Sequence, residues 1–294
     1  MTILVTGSTG GIGAQVVAHL AARGAKVHAL SRTPGKQPLP NGAVPVKADL
    51  MDVDAMRAAL AQATTLFLLN AVTPDEVTQA ILTLNLAREA GIERMVYFSV
   101  LRSDRFTDVP HFTAKYTVER MIEQCNLAAT ILRPAYFMQN DATLKDAISG
   151  YGVYPMPIGG IGQSMVDTRD IAEVAALELL RREDSSVPLP REVLDLVGPD
   201  ALTGESIARI WSAVLGKPIR YAGDDLVAFE NQFKSFAPGW MAYDMRLMMN
   251  RFQRDGMVAT PAAVERFTAR LGRRPRSYQD FAAETAQHWA TNHA

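Results

Sequence analysis

The chain has 294 residues, of which 48% are hydrophobic, enough for one large α/β domain with an added lobe or for two small domains. Its 30 basic and 31 acidic residues nearly cancel, which excludes the strong net field that favours nucleic acid or an anionic membrane. The single cysteine, Cys125, excludes an intramolecular disulfide and a multi-cysteine zinc site, and no two histidines stand at metal-ligand spacing. No stretch resembles a signal peptide or approaches the roughly 18 apolar residues of a membrane span, so we expect a cytoplasmic protein.

The chain opens with a short aliphatic run at residues 3–5, followed by glycines at 7, 10 and 13 and then by an apolar helical pattern. Strand, glycine turn and helix in this order are typical of a dinucleotide-binding unit. Gly7 turns the chain off the strand, Gly10 lets backbone N–H groups approach a pyrophosphate, and Gly13 lets the helix pack close to the sheet. The alternative is a turn that binds nothing. The predicted cofactor-binding residues of the turn are Gly7, Ser8, Thr9, Gly10, Gly11, Ile12 and Gly13.

The end of the second predicted strand, residues 26–30, indicates which dinucleotide is bound. An Asp or Glu there usually holds a free ribose 2′-hydroxyl. This chain has Ser31 and Arg32 instead, with Lys36 shortly after and no acid nearby in the sequence. A guanidinium can bind a 2′-phosphate through two parallel hydrogen bonds, so we predict NADP(H) rather than NAD(H). The alternative for Arg32 is a solvated charge at a strand end.

The order strand-helix-strand repeats without long interruption to residue 100, which predicts a doubly wound parallel Rossmann sheet. Pro45 favours a strand end or a sheet edge. Further strands are predicted at 44–48, 64–69, 94–100, 129–134 and 193–197, and helices begin near Asp52, at Pro74, at Pro110 and at Thr168.

Residues 201–294 read mostly as helices, which predicts a smaller, mostly helical C-terminal substrate lobe. We therefore predict an NADP-binding Rossmann domain over 1–150, to which 166–198 return, and a substrate-binding lobe formed by 151–165 and 199–294.

Ligands of such sheets bind beyond the carboxyl ends of the strands, so residues in those places are candidates for the cofactor site. Asp49 is placed to accept a hydrogen bond from the adenine amino group, or equally to pair with a threonine or to cap the next helix, which Asp52 starts. The predicted set at the third and fourth strand ends is Asp49, Leu50, Asn70, Ala71 and Val72.

The chain resembles the NmrA-like branch of the atypical short-chain dehydrogenase/reductases over nearly its whole length. The resemblance rests on Thr6-Gly-Ser-Thr-Gly-Gly-Ile-Gly13, Ser31-Arg32, Asp49-Leu50, Lys115, residues 133–140 and residues 166–172. The Arg-Pro-x-x-Phe-x-x-Asn pattern of 133–140 is its most specific part. Among NmrA-like proteins are NADPH-dependent reductases and also proteins that bind NADP(H) without turnover and regulate a partner.

Common short-chain enzymes use a Tyr-x-x-x-Lys pair, which this chain lacks. His111-Phe-Thr-Ala-Lys115 stands in the matching place. The resemblance implies that Lys115 hydrogen-bonds the nicotinamide ribose. His111, one helical turn away, is a candidate proton donor near neutral pH, or else a helix-terminal residue exposed to water or capping the helix. Ser99, followed by Val100, matches the position of the family's catalytic serine and either lines the nicotinamide side or merely ends its strand.

Aromatic and methionine residues after the sixth strand predict a loop-built pocket wall over 136–140 and 151–157. The family analogy implies cofactor contact at Pro134, Ala135, Tyr136 and Phe137. The predicted substrate pocket consists of Phe137, Met138, Tyr154, Met156 and Trp240. The methionines at 241, 245, 248 and 249 are more typical of core or lid packing.

These features together predict an NADPH-dependent oxidoreductase that transfers hydride to an activated hydrophobic acceptor, namely a quinone, an enone or an iminium. Such acceptors need little acid catalysis, which fits the absent tyrosine. The alternative is a non-catalytic NADP(H)-binding redox sensor that acts through a partner protein. We expect a small hydrophobic or aromatic substrate, a monomer or homodimer, and no metal, nucleic-acid or membrane partner.

Overall fold

The computed structural model describes residues 1–35 and 38–291, so Lys36 lies outside the described residues. Within them the chain divides into two compact units. The first unit contains residues 1–103, 114–133 and 169–194, and the second contains 104–113, 134–168 and 195 onward. The functional domain limits proposed from the sequence stay a prediction.

Nine strands are present in the described residues. They are β1 (Ile3–Val5), β2 (Val27–Ser31), β3 (Ala43–Lys47), β4 (Thr65–Leu68), β5 (Met95–Phe98), β6 (Ala129–Pro134), β7 (Val153–Tyr154), β8 (Glu192–Leu196) and β9 (Arg220–Tyr221). In the described residues they form a seven-stranded sheet of order β3-β2-β1-β4-β5-β6-β8 and a two-stranded sheet of β7 and β9. The pairings from β3 across to β6 are all parallel. The predicted doubly wound parallel Rossmann sheet is confirmed.

Apart from β2 and β3, which follow each other directly, the strands up to β8 are separated by helices, and helices dominate the chain after β8. They are α1 (Gly11–Ala22), α2 (Val53–Leu60), α3 (Glu76–Glu89), α4 (Pro110–Gln124), α5 (Gln139–Ala142), α6 (Thr168–Glu183), α7 (Gly204–Leu215), α8 (Leu226–Phe233), α9 (Gly239–Asp255), α10 (Pro261–Leu271) and α11 (Tyr278–Thr291). The mostly helical C-terminal part of the prediction is therefore confirmed.

Aliphatic strand residues form the core of the first unit. Leu4 of β1 and Leu66 of β4 have no exposed surface, and they share one cluster with Met56 of α2 and Leu84 of α3. Burial of such side chains is the main favourable contribution to folding. β3 lies at the edge of the sheet, as Pro45 predicts, because an edge strand does not need every backbone N–H.

Two local predictions are wrong. The helix expected to begin at Pro74 begins at Glu76, because residues before it form a turn in which the N–H of Glu76 donates to the carbonyl of Thr73 at 3.2 Å. The segments 136–140 and 151–157, predicted as loops, contain the start of α5 and the strand β7. An element of two to four residues is too short to show a hydrophobic period.

Arg182 at the end of α6 is fully buried, and its guanidinium joins this helix to β6 and to the segment that leads into β8. Its Nε donates to Thr130 Oγ1 at 2.7 Å, and its two terminal nitrogens donate to the carbonyls of Leu189 at 3.0 Å and Pro190 at 2.9 Å. The buried charge is therefore spread over several acceptors.

We expect Arg182→Met to lower the free energy of unfolding by about 3 kcal/mol, because three hydrogen bonds to a charged donor are lost. Urea denaturation measures this change. The control is Arg88→Met on the exposed surface of α3, where we expect a change within about 0.5 kcal/mol. Similar small changes in both variants would show that the buried guanidinium does not hold these segments together.

Candidate active site

A tight turn joins β1 to α1, and its glycines are sterically required. Gly7 has φ +61°, which L side chains rarely adopt, and a Cβ on Gly13 would lie 2.1 Å from the carbonyl oxygen of Gly7. Thr6 holds the turn to the end of β4, since its hydroxyl donates to the carbonyl of Leu69 at 2.9 Å and accepts from the N–H of the same residue at 2.8 Å. No side chain caps the first turn of α1 within the described chain. The helix therefore presents backbone N–H groups and its positive dipole end, an arrangement that suits a phosphate.

Most of the predicted turn residues lie on the surface of the first unit. Gly7, Thr9, Gly10 and Gly11 are exposed, whereas Ile12 and Gly13 are buried. Ser8 is also buried, and its hydroxyl donates to the carbonyl of Leu30 in β2 at 2.8 Å. The glycine turn is thus fastened to the end of the strand that precedes Arg32.

Arg32 is exposed beyond the end of β2, while Ser31 is buried. The Gln79 amide, which donates to Asp75 Oδ1 at 3.0 Å, lowers the pKa of the Asp75 carboxyl, and the positive charge of Arg32 lowers it further. An acid therefore lies near Arg32 in space although none is near in sequence. The strand order explains this, since β2 and β4 both flank β1 and end at the same edge of the sheet.

Asp49 and Leu50 follow β3, where Asp49 is exposed and accepts from the backbone N–H of Met51 at 2.9 Å. The cap of α2 is a different residue, Asp52, whose carboxylate accepts from Ala55 N at 3.0 Å. The alternative in which Asp49 caps the helix is therefore wrong, and its contact with adenine stays a prediction.

Asn70 follows β4, has only 7% of its surface exposed, and is followed by the exposed Ala71 and the half-buried Val72. Among the residues that the structure describes, no donor reaches the side-chain oxygen of Asn70. A buried acceptor without a donor costs about 1–3 kcal/mol, so such an atom is typical of a place where a ligand supplies the donor. The ribose hydroxyls of a dinucleotide are donors of this kind. The uncapped helix, the glycine cradle and this oxygen together fit a dinucleotide.

Lys115 of α4 is buried, with 5% of its surface exposed, and its Nζ lies 3.4 Å from Oε1 of Glu76. Glu76 is equally buried and stands in the first turn of α3. Sequence reasoning missed this partner, because an acid in the first turn of a helix is common for reasons of the helix dipole alone. The pair holds the ammonium group in place within the first unit.

Ser99 directly follows β5 and has 1% of its surface exposed, and its hydroxyl donates to the buried carboxylate of Glu119. The same carboxylate accepts from Ser103 Oγ at 3.0 Å and from Nε of Arg133 at 3.0 Å. Whether Ser99 also lines the nicotinamide side stays a prediction. Val100, which follows, is half-buried.

His111 and Asp244 form a buried pair in the second unit. His111 Nδ1 lies 2.7 Å from Asp244 Oδ1, and the backbone N–H of His111 donates to Oδ2 at 3.3 Å. Only 9% of the His111 side chain and 1% of the Asp244 side chain are exposed, so the alternative of a water-exposed histidine is wrong. Asp244 lies among methionines on α9, and nothing in the sequence links it to α4.

The predicted substrate residues separate into two groups in the second unit. Met138 and Tyr154 have no exposed surface, and the Tyr154 hydroxyl donates to Asp141 Oδ2 at 3.1 Å. Burial raises the pKa of the Asp141 carboxyl to about 7, although the hydrogen bonds from Tyr278 and Tyr154 oppose the shift. By contrast, Phe137 and Met156 are half-buried and Trp240 is 39% exposed, so these three keep surface that a substrate can contact.

The predicted cofactor contacts after β6 differ in exposure. Pro134 and Ala135 are buried, and Tyr136 is half-buried with its ring edge-on to Phe252 at a centroid distance of 5.8 Å. Met248 and Met249 of α9 are buried, whereas Met241 and Met245 are half-buried. The first two methionines therefore fill the core, as methionines often do.

In the described part of the chain, no group of three or more His, Cys, Asp or Glu side chains could hold a metal ion. No helix of that part is both long and apolar enough to cross a membrane.

Comparison with known proteins supplies the family and two functional relatives. The model described as the NmrA-like family matches residues 1–267. The chain is 30% identical over 223 residues to the NAD(P)H azoreductase of Xenophilus azovorans, covering 74% of this chain and 76% of the relative. It is 26% identical over 293 residues to the (4-alkanoyl-5-oxo-2,5-dihydrofuran-3-yl)methyl phosphate reductase of Streptomyces griseus. This match covers 98% of this chain and 99% of the relative.

A solved structure has the same fold. The NADPH-dependent quinone oxidoreductase of Escherichia coli in complex with NADPH has a TM-score of 0.84 and 21% sequence identity. The match covers 97% of this chain and 99% of that protein.

We expect Gly13→Ala to lower the free energy of unfolding by about 2 kcal/mol, because the added Cβ collides with the Gly7 carbonyl and forces α1 away from β1. Chemical denaturation measures the loss. Gly11→Ala is the matched control, since a Cβ there meets nothing within 4 Å, and we expect its stability to change by less than about 0.5 kcal/mol. If both variants unfold like the parent protein, the close approach at the turn is not required.

Proposed function

The chain belongs to the NmrA-like family, and on this premise we propose that it is an NADPH-dependent reductase that transfers hydride to an activated hydrophobic acceptor such as a quinone, an enone or an iminium. The observation that carries the proposal is the glycine turn of the first unit, which leads into a helix without a side-chain cap. Ser8 fastens this turn to β2, the strand that ends before Arg32. The N-terminus of this helix suits the pyrophosphate of NADP(H), and the exposed guanidinium of Arg32 suits its 2′-phosphate.

The binding residues follow from this arrangement. The N–H groups at the start of α1 hold the pyrophosphate, and the Asn70 oxygen accepts from a ribose hydroxyl. Arg32 binds the 2′-phosphate through its exposed guanidinium. The bound NADPH supplies the hydride. The azoreductase relative is named for the same cofactor type, which supports the proposal.

Lys115 and His111 stand one turn apart on α4, so they point to the same side of the helix. We assign to Lys115 a hydrogen bond to the nicotinamide ribose and to His111 the donation of a proton to the reduced substrate. An ammonium group has three donors, and Glu76 occupies only part of that capacity. The pair with Glu76 therefore orients Lys115 without preventing its contact with a ribose.

The substrate class follows from the apolar surface that remains exposed in the second unit. Trp240 stands one turn before Asp244 on α9 and is 39% exposed. Phe137 and Met156 add apolar surface. An aromatic face binds flat conjugated molecules by stacking, which favours quinones and other conjugated acceptors.

One observation favours the non-catalytic alternative, a redox sensor that acts through a partner protein. Both Lys115 and His111 are buried and paired with carboxylates, as residues with a purely structural role also are. A measurement of turnover distinguishes the two functions, because only the reductase consumes NADPH.

We expect Arg32→Ala to weaken NADPH binding by about 10- to 100-fold, the worth of one or two charge-assisted hydrogen bonds, and to leave NADH binding within about threefold. Isothermal titration calorimetry measures both affinities. Arg88→Ala, remote on α3, is the control and should bind both cofactors as the parent does. Equal losses for NADPH and NADH would contradict the 2′-phosphate assignment.

We expect the purified protein to consume NADPH with at least one class among quinones, azo dyes, enones and cyclic imines, measured by absorbance. Lys115→Ala should lower kcat by about 100-fold, because the ribose loses an orienting contact. The control is Lys26→Ala, which changes an exposed lysine of the first unit and should leave kcat unchanged. Tight NADPH binding without turnover of any acceptor would favour the sensor.

A further inference from the structure

We propose that Asp244 is a positioning residue that holds His111 as the proton donor of the reductase. The inference rests on the proposed function and extends it, because the sequence offered no partner for His111. It also divides the candidate acceptors into those that need a proton and those that do not.

The contact between the two residues has two points, which fixes orientation as well as distance. One carboxylate oxygen lies 2.7 Å from Nδ1 of the ring, and the other accepts from the backbone N–H of the same histidine at 3.3 Å. The carboxylate therefore fixes both the ring and the first turn of α4. Since Nδ1 faces Asp244, Nε2 is the ring nitrogen that remains for an acceptor.

The buried surroundings of the pair strengthen the electrostatic interaction between the Asp244 carboxylate and the His111 imidazole. Both side chains are almost fully buried, and the ring of Phe112 packs edge-on against the imidazole with a centroid distance of 4.7 Å. In such an apolar place a buried carboxylate must be hydrogen-bonded, and the imidazole and the backbone N–H of His111 supply the donors. A carboxylate that accepts from Nδ1–H also stabilises the imidazolium, the form that can donate a proton from Nε2.

The chemistry of the acceptors shows where this proton is needed. When hydride adds to a quinone or an enone, a C–H bond forms and the electron pair of the π system moves to oxygen. That oxygen then takes the proton from Nε2 of His111, and the electron pair of the broken N–H bond stays on nitrogen. The neutral imidazole regains a proton from water. Hydride addition to an iminium or to a cationic triarylmethane dye gives a neutral product and needs no proton.

The test compares Asp244→Asn with Asp255→Asn, which changes a partly exposed carboxylate on the same helix. We expect Asp244→Asn to lower kcat for a quinone and an enone by about 100-fold, the usual contribution of a positioned acid, with KM within about threefold. Reduction of a cyclic iminium and of a cationic dye should change by less than about threefold. Asp255→Asn should leave all four rates unchanged.

A second readout needs neither cofactor nor substrate. In protein with ¹⁵N-labelled histidine, the ring resonances of His111, assigned through His111→Gln, report which nitrogen carries the proton and how strongly it is hydrogen-bonded. We expect the pattern of a strong Nδ1–H hydrogen bond in the parent and in Asp255→Asn, and its loss in Asp244→Asn.

His111→Gln keeps the proposal testable if Asp244→Asn does not fold, because it should show the same selective loss with proton-requiring acceptors. The double variant should lose no more than either single one, since the two residues act as a unit. An equal loss with all four acceptors, or unchanged His111 resonances in Asp244→Asn, would overturn the assignment. No turnover by the parent protein with any acceptor would instead overturn the proposed function.

Discussion

The buried carboxylate of Glu119 is the constraint on which the candidate site of the first unit depends. A charge removed from water is tolerated only when it is paired and fully hydrogen-bonded, and Glu119 meets this condition with Ser99, Ser103 and the two-pronged guanidinium of Arg133. These donors belong to the end of β5, to the loop after it and to β6. Because Lys115 stands one turn before Glu119, the same contact fixes the rotation of α4 and turns the ammonium group towards Glu76.

The glycine turn is fixed in a comparable way, but by steric means. The space between the turn and α1 excludes even one methyl group at Gly13, so the start of the helix is held close to the turn, an arrangement that suits an anion. Thr6 and Ser8 then fasten the turn to the neighbouring strands on either side of β1. Under the proposed function, cofactor binding in this unit would depend on backbone geometry, whereas the discrimination between a 2′-phosphate and a 2′-hydroxyl would depend on one exposed side chain, Arg32.

The features that the sequence predicted correctly are those with local causes. The first strand, the glycine turn and the cap at Asp52 each depend on a few neighbouring residues, and the edge position of β3 follows from one proline. The partners Glu76 and Asp244 escaped prediction because each meets its basic partner only after the chain has folded back. The start of α3 was misplaced for a related reason, since the turn that delays it depends on a backbone hydrogen bond rather than on a residue type.

The pair of His111 and Asp244 also bears on the choice between an enzyme and a sensor. Replacing a buried ion pair by apolar side chains of similar volume is often neutral or stabilising, so such a pair is weak evidence for a stabilising role. A protein that only binds NADP(H) would gain nothing from fixing which nitrogen of an imidazole carries the proton. A reductase gains a donor whose orientation is set before the substrate arrives, and preorganised donors of this kind contribute strongly to the stabilisation of a transition state. The carboxylate at Asp244 is therefore easier to explain by proton transfer than by folding.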